Sequence, residues 1–347
     1  QAVIWRNWEM ITPATLARVL RSDDATILAL AADIVLRVTP QVIPGWAELG
    51  YGTIIGANWN LLPYEQLLDL LGWSPERMAY VLREDDYLFS THRSHGHLLC
   101  KGLEPRRIMA ELWGKTTGYC QGRGGSMHVT DWSKRVMPSG MVGTSITLAT
   151  GAALASKLRG GHEVAIGACG DGAVNCGAFH EGLNMAAVWR LPAVFVSENN
   201  GFAVTTRLQQ STSVERLSDR AAAYSIPGWT VDGTDPLASY EVLQDAVERA
   251  RQGEGPSLIE AIVRRWKGHA AWDKGSYLTE EELEAIKTHD PLPQYRQRLI
   301  QEKILTQDEI TSIDAEMEAV MEEALRFAEE SPAPPLTKEE AVRYAYV

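Results

Sequence analysis

The feature that most constrains this chain is an alternation of short apolar runs with helical stretches between residues 163 and 263. Glu163–Cys169 reads as a buried strand, Gly177–Arg190 as a helix and Ala193–Ser197 as a second strand. Strand, helical crossover and strand in that order form a βαβ unit, which lays the two strands side by side and parallel. The pattern continues with a helix over Ser213–Tyr224, a strand at Trp229–Val231, a helix over Pro236–Gln252 and a strand at Ser257–Val263. This succession predicts an α/β fold: a doubly wound, mostly parallel sheet with helices on both faces.

Helical flanks are expected on either side. Residues 1–88 read as a helical N-terminal region, where Thr12-Pro13 and Ser74-Pro75 each place a cap residue and a first-turn proline before apolar-periodic runs. Residues 89–290 form the α/β domain, whose first part (89–143) holds Gly, His and Arg clusters around one helix near Glu104–Lys115. Residues 291–347 form a helical, acidic C-terminal region. There Ile310, Ile313, Met317, Met321 and Leu325 recur at helical spacing, so one face packs on the same domain until Pro332, Pro334 and Pro335 end the helix.

Charge and cysteine usage narrow the classes of partner. With 45 acidic against 33 basic residues the net charge is −12, which repels a nucleic-acid backbone, and no basic stripe reverses it locally. No segment approaches the roughly 20 apolar residues of a membrane span; Ala29–Val38 is short and carries Asp33 and Arg37. Cys100, Cys120, Cys169 and Cys176 show no CxxC spacing and read as reduced, mostly buried thiols of a cytoplasmic protein. An organellar matrix stays open, because a chain starting at Gln1 can have lost a targeting segment.

The chemistry starts at Gly170-Asp171-Gly172-Ala173, directly after the first strand of the βαβ unit. Ligands of doubly wound sheets bind at the carboxyl ends of strands. Gly170 and Gly172 allow close backbone approach, and the following helix offers free N–H groups to an anion. A carboxylate at a phosphate site repels its ligand unless a divalent cation lies between them, so Asp171 implies a metal. The next strand ends in Glu198-Asn199-Asn200-Gly201-Phe202, which brings Asn200, 29 residues on, to the same sheet edge. A Gly-Asp-Gly alone is most often a turn.

Gly-Asp-Gly followed about 30 residues later by Asn-Asn resembles the metal motif of thiamine-diphosphate enzymes. The stretch GDGAVNCGAFHEGLNMAAVWRLPAVFVSENNGFAVTT resembles the α subunits of pyruvate, branched-chain and acetoin dehydrogenase E1 components. So do HRSHGHLLCKG (92–102), MAELWGKTTGYCQGRGGSMHV (109–129), SGMVG (139–143) and GPSLIEAIVRRWKGH (255–269), over about residues 90–290. The wording HGHLLCKG and GRGGSMH is closest to the acetoin-dehydrogenase branch. The resemblance implies thiamine diphosphate and Mg²⁺, the metal held by Asp171, Asn200 and the backbone carbonyl of Phe202. It assigns Arg93 and Arg265 to the diphosphate and Gly140 and Val142 to the aminopyrimidine, with Gly170, Gly172 and Ala173 at the phosphates. His269, beside the reacting end of the cofactor, is the first implied proton carrier; His95 is either a second or a hydrogen-bonding partner of phosphate or loop backbone. Phe202 stands where Tyr is usual, and Tyr277-Leu278 where Tyr-Arg is usual. Arg264 is expected to point away from Arg265, as neighbours on a strand do.

The resemblance also implies a partner. In the family a glutamate that activates the cofactor lies on a second α/β domain, and this chain has room for one. A β subunit is therefore expected to complete an α2β2 enzyme that cleaves a 2-oxo acid or acetoin and passes the oxidised fragment to lipoamide on a lipoyl acyltransferase (E2) core. A split carboligase or transketolase-like enzyme without lipoamide is the alternative. A nonenzymatic assembly subunit is opposed by the intact Asp171, Asn200 and Arg93. A nicotinamide-binding enzyme is opposed by the absence of a GxGxxG turn, which GRGG at 122–125 does not match.

Overall fold

The computed structural model describes residues 81–270, 273–335 and 337. The chain divides into two units, one of Tyr64–Trp266 with Tyr277–Val347, the other of Gln1–Pro63 with Lys267–Ser276. The helices expected at Thr12-Pro13 and Ser74-Pro75 lie outside the described residues.

The larger unit is an α/β structure. In chain order it runs β1 (Tyr87–Ser90), α1 (His95–Cys100), α2 (Pro105–Leu112), β2 (Val136–Pro138), α3 (Thr144–Arg159), β3 (Ala165–Gly170), α4 (Gly177–Val188) and β4 (Ala193–Asn199). A small hairpin, β5 (Phe202–Ala203) with β6 (Thr206–Arg207), leads into α5 (Leu208–Ser211). Then come β7 (Gly228–Asp232), α6 (Pro236–Arg251), β8 (Ser257–Ile262), α7 (Glu280–Thr288), α8 (Pro291–Gln301) and α9 (Gln307–Glu330). Six strands form one sheet in the order β2-β1-β3-β4-β8-β7, and all its pairs are parallel.

Helices lie around the sheet: α3 against β1, β3 and β4, with α4 packed on α3, and α6 against β4, β7 and β8. The central strands β3, β4 and β8 read as mostly apolar because both faces are covered; Ala193 to Val196 are all buried. Phe89, Ile146, Phe179, Leu183, Phe195 and Leu258 form the centre of the core. Among the described residues no helix is long and apolar enough to cross a membrane. None of the four cysteines is in a disulfide; Cys100 and Cys169 are buried, and Cys120 and Cys176 partly exposed.

Three local expectations are corrected. Strands β1 and β2 occur where only loops, one helix and the end of a helical region were expected. They have four and three residues, too few to show a period. The segment expected as a helix over Ser213–Tyr224 is a 3-10 turn over Leu217–Tyr224, where the Ser218 N–H bonds to the buried Glu260 carboxylate instead of a helical carbonyl. On α9 the expected face packs with one exception: Ile310 is buried and Met317, Met321 and Leu325 are partly buried, whereas Ile313 is 45% exposed and Ala324 and Ala328 are buried. Alanines allow the close approach of α9 to α2 that larger side chains would prevent.

Asp86 ties the sheet to its last crossover helix. It is fully buried and accepts from Arg251 Nη1 at 3.1 Å and Nη2 at 2.8 Å, from Val164 N at 2.7 Å and from Arg83 N at 2.8 Å. Asp86→Ala strands a nearly buried guanidinium and two amide donors, so it should cost roughly 3–5 kcal/mol. Urea unfolding should show a lower midpoint at unchanged slope; a loss under about 1 kcal/mol would mean that the pair contributes little.

Candidate active site

From β1 the chain passes to β2 on one side, while β3 lies on the other. Such a reversal of strand order opens a crevice at the carboxyl ends of the strands. Because the sheet is parallel, every strand end delivers its loop to that one edge: Thr91–Arg93 after β1, Ser139–Gly143 after β2, Gly170–Ala173 at β3, Glu198–Phe202 at β4 and Val263–Arg265 after β8. A pocket there is lined by Thr91, His92, Arg93, Gly170, Glu198, Asn200, Val263 and Arg264.

The charges at this edge are arranged for a ligand of mixed sign. Asp171 is 2% exposed and its Oδ2 is buried with no hydrogen-bond partner. Burial pushes its carboxyl up to about 6, against the pull of Arg265 and Arg93 and of the backbone amides at 171 and 172. The Arg93 guanidinium is held below its ordinary range, first by burial and then by Arg265, with Glu198, Asp171 and Tyr277 opposing. Arg265 is 4% exposed, and its Nε finds no partner. A buried guanidinium and a half-buried one that repel each other favour an anion between them. An unpaired buried carboxylate oxygen beside that anion favours a cation.

The residues present fit magnesium and a diphosphate on these observations. Among the described residues no cluster of three His, Cys, Asp or Glu could hold a metal, so a cation here draws on mixed oxygens, which suits magnesium. Asn200 Oδ1 accepts from the Phe202 N–H at 3.1 Å and keeps a second lone pair. Close approach is enforced at Gly172, where a Cβ would lie 2.7 Å from that of Ala203. Ala173 is buried in the same 3-10 turn, Asp171–Asn175.

Arg265 is held by aromatic rings. Its guanidinium lies 5.0 Å from the Phe202 ring centre and 5.3 Å from that of Tyr277. Nη1 donates to the Val204 carbonyl at 2.8 Å and Nη2 to the Tyr277 hydroxyl. Phe202 also carries Arg207 at 5.0 Å, and Arg207 reaches Glu282 through two bonds of 2.6 and 3.0 Å. Replacing tyrosine by phenylalanine at 202 therefore keeps a cation–π surface, and Tyr277 anchors Arg265 without an arginine at 278.

Several site residues escaped sequence reasoning. Arg264, to which the sequence gives no role, lines the pocket; it is exposed where Arg265 is buried, the alternation expected of neighbours. Glu198 lines the pocket too, opposite Gly170 in register. Beneath the Asn200 turn, the buried Glu260 accepts from Asn199 Nδ2 at 2.7 Å and from Thr230 Oγ1 at 2.9 Å, while Asn199 Oδ1 accepts from Gly201 N at 2.9 Å. A charge inside a central strand was the available signal.

The remaining expected residues are placed as follows. Gly140 abuts His128, whose Nε2 would lie 3.1 Å from an added Cβ, and Val142 is 60% exposed at the same edge. His269 belongs to the smaller unit, where its N–H donates to Asp273 Oδ2 at 2.6 Å. His95 is 4% exposed, with its Nε2 buried and unpartnered. Burial lowers its pKa to about 4, so the ring is neutral at pH 7.

That shift has a consequence for stability. The unfolded chain takes up a proton near pH 6.5 and the folded chain only near 4, so the stability linked to His95 is complete above pH 6.5 and is lost as pH falls towards 4. The span corresponds to about 3 kcal/mol. Denaturation between pH 7 and 4 should show a steeper acid loss in the parent than in His95→Gln; identical slopes would contradict it.

Comparison with known proteins places this geometry. The family described as dehydrogenase E1 component matches residues 77–337. The chain is 45% identical over 255 residues to the α subunit of acetoin:2,6-dichlorophenolindophenol oxidoreductase from Cupriavidus necator, covering 73% of this chain and 77% of that one. To the protein of the same name from Bacillus subtilis it is 44% identical over 73% of this chain and 76% of the relative. To the pyruvate dehydrogenase E1 component subunit alpha of Rhizobium meliloti it is 36% identical over 75% and 76%. With three-quarters of its length matched and a pocket at the sheet's carboxyl edge, the chain belongs to the dehydrogenase E1 component family, on its α-subunit branch.

Proposed function

We propose that this chain is the α subunit of a thiamine-diphosphate-dependent E1 dehydrogenase that cleaves acetoin or a 2-oxo acid such as pyruvate, with a β subunit completing the active site as α2β2. Lipoamide on an acyltransferase core is the acceptor of the oxidised fragment. The observation that carries the reading is the buried Asp171 carboxylate, its Oδ2 unpartnered, beside the half-buried Arg93 and the buried Arg265 at the sheet's switch point. Relatives named for acetoin and pyruvate oxidation support the substrate class.

Bound thiamine diphosphate supplies an electron sink for breaking the bond beside a carbonyl. This chain's residues bind and orient it. Arg93 and Arg265 grip phosphate oxygens, and Asp171, Asn200 and the Phe202 carbonyl hold Mg²⁺. Gly170, Gly172 and Ala173 bring backbone against the phosphates, and Gly140 and Val142 flank the aminopyrimidine. His269 moves a proton at the reacting end, while the neutral His95 offers a ring nitrogen to the cofactor's side of the loop.

Calorimetry on the assembled α/β protein tests this. Thiamine diphosphate with Mg²⁺ should bind at least about tenfold more tightly than thiamine monophosphate, because a charge-assisted contact to the missing phosphate is worth about 1.5 kcal/mol or more. A chelator should remove the difference. Equal affinities, with and without metal, would overturn the reading.

A further inference from the structure

One hydrogen-bonded chain at the carboxyl edge is left unused by the function above. Ser90 Oγ lies 2.5 Å from His97 Nδ1, and His97 Nε2 lies 3.2 Å from Glu198 Oε1. Ser90 is fully buried and His97 is 2% exposed, so water does not compete for either ring nitrogen. Ser90 ends β1 and Glu198 is near the end of β4, with β3 between them in the sheet. The histidine, in the first turn of α1, thus links the two strands that flank the Asp171 strand.

The partners set the tautomer. A carboxylate only accepts, so Nε2 carries a hydrogen towards Glu198, and Nδ1 pairs with the Ser90 hydroxyl. Both ring nitrogens are satisfied, and the imidazole cannot turn without breaking a buried bond. A hydrolytic Ser-His-Glu role is excluded by geometry, because Ser90 is fully buried inside the sheet and no substrate reaches it.

Glu198 is the end of the chain that meets the pocket. Its charge acts on Arg93 in the direction opposite to burial and to Arg265. A glutamate with free rotamers would spread that charge over several positions. Tied to His97, it occupies one.

We propose that Ser90, His97 and Glu198 form a positioning chain that fixes the Glu198 carboxylate at the pocket wall, so that Arg93 is presented to the ligand's diphosphate as an ordered guanidinium. For the identity of that ligand the inference rests on the thiamine-diphosphate reading. His97 is a positioning residue that acts through Glu198, and the gain is preorganisation: the ordering cost is met during folding rather than on binding.

The test is a double-mutant cycle on the α/β protein, read by calorimetry with thiamine diphosphate and, as an anion-only probe, with inorganic pyrophosphate, both with Mg²⁺. His97→Ala and Glu198→Gln should each weaken both ligands by about tenfold, the loss of one buried hydrogen bond to a charged group. The double variant should be within about twofold of Glu198→Gln, because residues acting through one path do not add. His97→Gln, which keeps a donor for Glu198, should recover affinity to within about threefold of the parent. Additive losses, an unaffected His97→Ala or a His97→Gln as weak as His97→Ala would each overturn the proposal. If His97→Ala does not fold, Ser90→Ala takes its place, with a weakening of roughly three- to fivefold expected and none counting against the chain. A parent that binds pyrophosphate but not thiamine diphosphate sinks the cofactor reading alone, since the cycle is still read with pyrophosphate. A parent that binds neither overturns both.

Discussion

Purified without a β chain, this protein should reduce a dye with acetoin or pyruvate at least about a hundredfold more slowly than the α/β complex. The reason is a missing acid. Family resemblance places the carboxyl group that activates thiamine diphosphate on a second α/β domain, and removing a positioned general acid or base costs roughly 10²–10⁴ in rate. The described residues hold one six-stranded parallel sheet, and among them the acid lining its pocket is Glu198, beside Arg93 and Arg264, with Asp171 acting on Arg93 from the same edge. Adding the β chain should restore turnover with saturation near equal stoichiometry. Robust oxidation by the α chain alone would end the split-site reading.

Asp171→Ala should abolish Mg²⁺-dependent cofactor binding, with a loss of at least about a hundredfold, since a lone carboxylate is the main charge offered to the metal. Unchanged affinity would remove the metal assignment. The same substitution should act in the opposite direction on the folded chain without ligand. Asp171 has its carboxyl raised to about 6 by burial, so ionising it is easier in the unfolded chain. Its contribution is therefore intact below the ordinary aspartate value near 3.8 and lost as pH rises through 6, a difference of about 3 kcal/mol. Asp171→Asn should make the ligand-free protein more stable than the parent at pH 7 and no more stable at pH 3.5. A variant that loses both binding and stability at pH 7 would instead mark Asp171 as a structural residue.

Local pattern revealed the central elements and missed the short ones. Strands β3, β4 and β8 are six or seven residues long and mostly apolar, long enough to be read. By contrast β1 and β2 are recognisable only from the neighbours they pair with. The periodic residues of α9 identified the helix and most of its packed face, but not the exposure of Ile313 or the burial of Ala324 and Ala328.

By itself the sequence determined the βαβ order and the position of Asp171 and Asn200 at strand ends. A crossover of that length must return the chain to the same sheet edge, and a glycine-flanked aspartate there has few uses. Only the tertiary structure decided which charges face one another. Glu198 meets His97 and Ser90 across about a hundred residues, Glu260 holds Asn199 from a neighbouring strand, and Tyr277 and Phe202 close on Arg265. Contacts between residues so far apart leave no periodic trace in the chain, because they depend on strand order and register rather than on local spacing.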